Sequence, residues 1–319
     1  MLAPTDRTPR ASGMLLAALL ALLTLAACSG VPAAQPAPTP GGQAHTDDHS
    51  AGISMDHIHG MGYAGDGAAL YVAAHDGLRV YADGAWRRPD GPRHDYMGFA
   101  PVADGFYSSG HPAPGSGLPN PLGLIKSGDA GRTIATLAFQ GESDFHLMAA
   151  GYRSGAIYVV NPAPNSRLGA GLFYTLDAGA TWKQSAARGL SAAPVQLAVH
   201  PTDPAVVALA SEQGLLLSTD HGDSFAPVGP AGPVSAAAFT PDGARLLYGL
   251  TSLSAYDLAS RQVVTLDAPA LGAEDAIAYL AVNPVRPDEV TLATYGLDIY
   301  LSRGGAWEQI ARQGEPAAP

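Results

Sequence analysis

The stretch Thr175-Leu176-Asp177-Ala178-Gly179-Ala180-Thr181-Trp182 constrains the fold most, because approximate copies of it recur along the chain. Its aspartate can accept backbone N–H bonds across a hairpin turn. Gly179 can take the left-handed conformation, and Trp182 returns as the first large residue of the next strand. Close copies run from Ser127 to Thr133 and from Ser218 to Phe225, with Asp129 and Asp220 in the place of Asp177. Asp83-Gly84-Ala85-Trp86 and Ser302-Arg303-Gly304-Gly305-Ala306-Trp307 keep the turn glycine and the aromatic, and Tyr256-Asp257-Leu258-Ala259-Ser260 stands in for a sixth mark. The marks at Asp83, Asp129, Asp177, Asp220, Asp257 and Arg303 are 46, 48, 43, 37 and 46 residues apart, the length of a four-stranded unit.

Helical periodicity is almost absent beyond the N-terminal segment, so an α/β fold is excluded. The expectation is an all-β fold, a six-bladed β-propeller of four-stranded blades, with seven blades as the alternative if blade two or three hides an extra hairpin. The blades are placed at 57–89, 94–139, 144–187, 195–228, 234–266 and 277–310. Blades two and three carry Pro/Gly-rich loops at 111–121 and 161–171 between their second and third strands.

Residues 1–27 read as a signal segment. Arg7 and Arg10 precede the apolar run Met14 to Ala27, too short for a comfortable membrane span. The run ends in Leu25-Ala26-Ala27-Cys28, which resembles the lipobox of bacterial lipoproteins. That resemblance implies cleavage before Cys28 and lipidation of its thiol. Cys28 is the only cysteine, so no intramolecular disulfide is available. Residues 28–52 read as a flexible tether, 53–313 as the propeller and 314–319 as a C-terminal tail. The expected location is extracytoplasmic, anchored by lipid to a bacterial membrane. Loss of residues 1–27 removes two arginines and one aspartate and moves the formal charge from −11 to −12. Such acidity disfavours nucleic acid as a partner. A monomer is expected, with a small molecule, glycan or protein as ligand.

In a propeller, loops entering the innermost strand and loops leaving the second strand share one face, so their polar residues converge on one mouth of the central channel. Alignment on Met61-Gly62-Tyr63, Met97-Gly98-Phe99 and Met148-Ala149-Ala150 puts His59, Asp95 and His146 at one equivalent position, where blades four to six have Val195, Ser235 and Ala278. Two residues earlier stand His57, Arg93 and Asp144. The second-strand exits add His75, Asp76, His111 and Asn161, while His94, Tyr96 and Phe145 flank the same positions, the two aromatics as rim residues. Imidazole and carboxylate are ligands for zinc, manganese, iron or copper. A divalent metal is therefore the candidate cofactor, the alternative being none, with His57, His59, Asp95 and His146 as its candidate ligands; the same groups could also serve as general acid and base. His200, after the inner strand of blade four, belongs to the opposite face as a turn cap.

The aspartate turn resembles the Asp-box, or bacterial neuraminidase repeat, with Asp129, Asp177 and Asp220 as its structural aspartates. His57-Ile58-His59-Gly60, His75-Asp76-Gly77-Leu78, His94 to Phe99, Ser109-Gly110-His111-Pro112 and Asp144-Phe145-His146 resemble a bacterial lipoprotein family named as glycosylhydrolases. The resemblance covers essentially the whole mature domain and implies a glycosidase-like chain without supplying catalytic residues. A sialidase needs three arginines on the substrate carboxylate and only Arg93 is well placed, so sialidase activity is not expected. Another glycosidase would use Asp95 and Asp144, whose separation would decide between retention and inversion. The leading expectation is ligand binding at the mouth of blades one to three through a divalent metal. Glycoside hydrolysis and a protein-assembly scaffold are the alternatives.

Overall fold

The computed structural model describes residues 53–317. The signal segment, Cys28 and the tether lie outside them. The described residues form six antiparallel sheets, each built from strands consecutive in sequence. The innermost strands are Ile58–Tyr63, Asp95–Val102, Met148–Ala150, Pro194–Val199, Ala236–Phe239 and Ile277–Val282. Neighbouring innermost strands pack side by side, and the last lies against the first. The ring therefore closes at six blades, and the seven-blade alternative is discarded.

Each blade buries both faces. Along Leu70–Ala74 the side chains of Leu70, Val72 and Ala74 enter a core shared with blade six, and Ala73 enters one shared with blade two. Period-two alternation thus feeds two cores from one strand. That explains why these strands read as nearly unbroken apolar runs. Six such cores lie between successive blades.

The recurring turn and its aromatic serve different ends of this packing. In the turn of blade three, the Thr181 N–H and hydroxyl donate to Asp177 at 2.8 and 2.6 Å, and the Gly179 N–H donates to Thr175 Oγ1 at 2.9 Å. Asp129 and Asp220 hold the same bonds with Thr133 and Ser224. Gly179 has φ +91° as the turn demands, and Ala178 before it is also left-handed at +54°. The carboxylate bonds hold that pair of positive-φ residues in place. The aromatic reaches back to the preceding blade. Trp86 Nε1 donates to Ile310 O of blade six at 2.7 Å, Trp307 Nε1 to Asp267 O beyond blade five at 3.1 Å, and Trp182 packs on Phe139 of blade two.

Ring closure uses the chain ends. The Met55 N–H donates to Gly314 O at 2.8 Å, and Glu315–Pro316 pairs with Ala306–Arg312 as a fifth strand of blade six. The segment from Gly314, expected to be a tail, is thus partly sheet. Arg79 is fully buried and donates to Ile53 O at 3.0 Å, Ser54 O at 2.7 Å and Asp76 at 2.5 Å. Asp76 also accepts from Arg88 at 2.7 Å. Asp76, expected at the ligand mouth, is instead part of this closure.

Arg79→Ala leaves the Ile53, Ser54 and Gly77 carbonyls without this donor and leaves Asp76 with Arg88 alone. It should cost about 1–3 kcal/mol, read as a lower urea midpoint; an unchanged midpoint would show that the N-terminal strap does not hold the ring. The Thr181 and Thr175 groups hold the Asp177 carboxyl at about 2, and those of Ser224 and Ser218 hold Asp220 at about 2. Carboxyls depressed from an unfolded value of about 3.9 stabilise the fold above that value, and the contribution is lost as pH falls towards 2. A double Asp177→Asn, Asp220→Asn variant should show a flatter loss of thermal stability between about pH 4 and pH 2. Parallel curves for variant and wild type would remove these turns from the acid response.

Candidate metal centre at the channel mouth

The six innermost strands start at one face, and the second strands end there. At that face the sheets are irregular. Ile58 pairs with Ala74 and Gly60 with Ala73, so His59 is an extra residue in a bulge. A similar slip falls between Asp95, opposite His111, and Gly98, opposite Ser109. Bulges re-aim side chains out of the plain alternation, and here they bring His59 and Asp95 together from adjacent blades.

His59 Nε2 lies 3.4 Å from Asp95 Oδ1, and His75 Nδ1 lies 2.9 Å from Asp95 Oδ2. The His57 ring stands 6.1 Å from both the His59 and the His75 ring. His59 Nε2 and Asp95 Oδ1 are buried, and neither has a hydrogen-bond partner among the described residues; their 3.4 Å approach lacks the required angles. Two such orphans cost about 1–3 kcal/mol each. Burial pushes the His59 imidazole below its ordinary value, against the pull of Asp95 and with His75, His57 and His146 adding to the depression. Burial thus favours the neutral ring, which offers one nitrogen lone pair to a ligand.

A second triad stands beside the first. Asp144 Oδ2 lies 2.6 Å from His146 Nε2 and 3.3 Å from His111 Nε2. Ser109 Oγ donates to Asp144 Oδ1 at 3.4 Å and accepts from the Phe145 N–H at 2.9 Å. His111 Nδ1 is 2.8 Å from Asn120 Oδ1. Within each triad, the three candidate ligand atoms lie within 4.8 Å of one another. The expected metal set of His57, His59, Asp95 and His146 is therefore divided. His146 joins Asp144 and His111, and His75 takes its place beside Asp95. Alignment found the right strand positions, but which blade gap a side chain enters depends on backbone irregularities that spacing does not reveal.

Five other expected ligand residues have different places. Tyr96 is buried against Phe106 and His94, and Phe145 is buried against Phe139 and Trp182. Each follows a site aspartate by one residue and so points to the opposite side, into the inter-blade core and away from the rim. His94 is buried, its pKa lowered by burial, and its Nδ1 accepts the Ala113 N–H at 2.9 Å, pinning the loop of blade two. Asn161 donates to Ala163 O and Gly169 O, both at 2.7 Å, and so shapes the loop of blade three. Arg93 is exposed and packs beside Gly77, outside both triads. His200 caps its turn by accepting the Asp203 N–H at 2.9 Å, as expected.

His59 and His146 also border the central channel, whose empty volume, open mouth included, is about 1110 Å³. The channel wall is mixed, with Met61, Phe99 and Leu197 beside Tyr152, Gln196, Thr240 and Tyr279. Asp144, His146, Asn161 and Pro162 line a side groove against the loop of blade three. Tyr295, 61% exposed, follows the second strand of blade six at the same face. Sequence reasoning passed over Tyr279, Tyr295 and Asn120, and met Ser109 only as a member of a resembling motif. The exit-loop rule that found His75 and His111 would have found Tyr295 had it been extended to blade six.

Asn161→Ala should leave two loop carbonyls unpaired and cost about 1–3 kcal/mol without altering either triad. Equal stability to wild type in thermal melts would show that the loop is held by other contacts.

No protein-family model and no curated protein matches the sequence. Among solved structures, the chain is similar to a GH74 xyloglucanase from Xanthomonas campestris, at 18% identity and a TM-score of 0.52 over 81% of this chain and 46% of that one. A GH74 enzyme from Niastella koreensis is similar at 14% identity and a TM-score of 0.56, covering 81% of this chain and 45% of that chain. The extracellular domain of a hybrid two-component system from B. thetaiotaomicron shares 11% identity at a TM-score of 0.52, over 82% and 34% of the two chains. The chain thus spans less than half the length of each of these proteins, and at such identities the likeness establishes the fold alone: the chain is a six-bladed β-propeller.

Proposed function

We propose that this protein is a lipid-anchored, extracytoplasmic propeller that binds a divalent transition metal at its channel mouth and uses it to hold a ligand. His59, His75 and Asp95 are the ligands of this centre, with the His57 ring beside it at 6.1 Å from both histidine rings. The observation that carries this reading is the pair of buried, unpartnered atoms His59 Nε2 and Asp95 Oδ1, which face each other beside His75. A cation bound to both relieves the cost of leaving them unpaired. Two imidazoles and one carboxylate favour zinc or copper over calcium or magnesium, which prefer all-oxygen sets. Three protein ligands leave a coordination position for an exogenous donor. The channel below, lined by apolar and polar side chains together, suits a ligand with a metal-binding head and an amphipathic body.

The three turns at Asp129, Asp177 and Asp220 act in this reading as Asp-boxes with a structural role. They join third and fourth strands, at the face away from the mouth. The glycosidase alternative uses Asp95 and Asp144. Each of those carboxylates is bracketed by two imidazoles, an arrangement suited to metal ligation more than to a free acid–base pair.

Elemental analysis of the full chain, purified without chelator, should find a transition metal. A His59→Ala, His75→Ala double variant should lose it from this centre. Equal metal content in both proteins would remove the proposal, and hydrolysis of a glycoside by chelator-treated protein would favour the glycosidase alternative. Separately, Cys28→Ser should move the chain from the membrane fraction to the soluble extracytoplasmic fraction; retention in the membrane would exclude the lipid anchor.

A further inference from the structure

We infer that the mouth carries a second divalent transition-metal site, formed by His111, Asp144 and His146 and loaded independently of the first. Several observations beyond the triad itself lead there. His111 Nδ1 lies 2.8 Å from Asn120 Oδ1. A carboxamide oxygen can only accept, so Nδ1 carries the proton and His111 Nε2 presents a lone pair towards Asp144 and His146. Asp144 is oriented in turn by Ser109 Oγ, itself buried and fixed by the Phe145 N–H. Metal centres need such outer partners to set tautomer and aim, and a chance surface cluster has no need of them.

Asp144 Oδ2 lies 2.6 Å from His146 Nε2 and 3.3 Å from His111 Nε2, while Oδ1 accepts from the Ser109 hydroxyl. One carboxylate oxygen and two imidazole nitrogens thus point at a common locus, open to the side groove along Asn161 and Pro162. Nitrogen donors in a two-to-one majority select zinc or copper over calcium. Loading needs the His146 Nε2 that faces Asp144 to be free of its proton, which moves to Nδ1 of the same ring or leaves to solvent.

The two centres are neighbours without sharing a ligand. Asp95 and His111 are cross-strand partners on blade two. Asp95 turns to His59 and His75 of blade one, and His111 turns to the residues preceding the inner strand of blade three. Blade two is their common wall. Both centres loaded would bring two divalent cations against two carboxylates, giving the mouth of this acidic protein a local positive charge suited to an anionic ligand.

The test is zinc stoichiometry and affinity of the full chain, by elemental analysis after equilibrium dialysis and by calorimetry with Zn(II). Wild type should bind two ions per chain. His111→Ala and His146→Ala, at partly exposed and exposed positions where folding is little disturbed, should each bind one. Asn120→Ala should weaken one of the two sites about 10–100-fold and leave the other unchanged, with Asn120→Asp restoring it. Millimolar Ca(II) should displace neither ion. One ion in wild type, retained in His111→Ala and His146→Ala but lost in His59→Ala, His75→Ala, would overturn the second site and leave the first standing. No ion in wild type would overturn both. One ion retained in the His59, His75 variant and lost in His146→Ala would uphold the second site while removing the first.

Discussion

Burial between blades is the constraint on which the rest depends. The inner three strands of each sheet bury both faces while the outer strand is largely exposed, so no blade is stable without both neighbours, and the first and last blades must find each other. Full burial of one Val, Leu or Ile is worth about 1.5–3 kcal/mol, against about 0.5–1.5 kcal/mol net for one turn hydrogen bond. The inter-blade cores therefore decide the architecture, and the aspartate turns refine it. Closure at the seam needs more than apolar contact. Buried Arg79 draws the Ile53–Ser54 backbone onto blade one, while Met55 and Trp86 reach the end of blade six.

That closure is also what assembles the mouth. The two triads draw on residues from 59 to 146, and no blade holds a complete set. His59 and His75 come from blade one and Asp95 from blade two; His111 comes from blade two and Asp144 and His146 from the approach to blade three. Packing of adjacent inner strands brings the partners into contact, so the site is a property of the ring. Bulges at His59 and beside Asp95 then give up ladder regularity for side-chain aim.

The molecule separates scaffold from site along the strand direction. Asp129, Asp177 and Asp220 lie at third-to-fourth strand turns, where each is satisfied by the hydroxyl and amide four residues on and has no acceptor capacity directed at the channel. Asp95 and Asp144 lie at the opposite face beside imidazoles. Aspartates in the two positions differ in what surrounds them, and their roles follow from those surroundings.

The recurring turn determined the fold from sequence alone, because a hairpin built on one aspartate, one left-handed glycine and a returning aromatic is local chemistry that spacing can count. The same periodicity located the mouth and named most of its histidines. What the sequence did not contain was the partition of those residues. His146 was expected with His59 and Asp95, and Tyr96 and Phe145 at the rim. Only the tertiary structure, through bulges that shift register by one residue and through the gap each side chain enters, placed His146 with Asp144 and His111 and turned the two aromatics into the core. Period-two alternation fixes that a residue and its neighbour point apart, and the contacts between blades decide which one meets a partner.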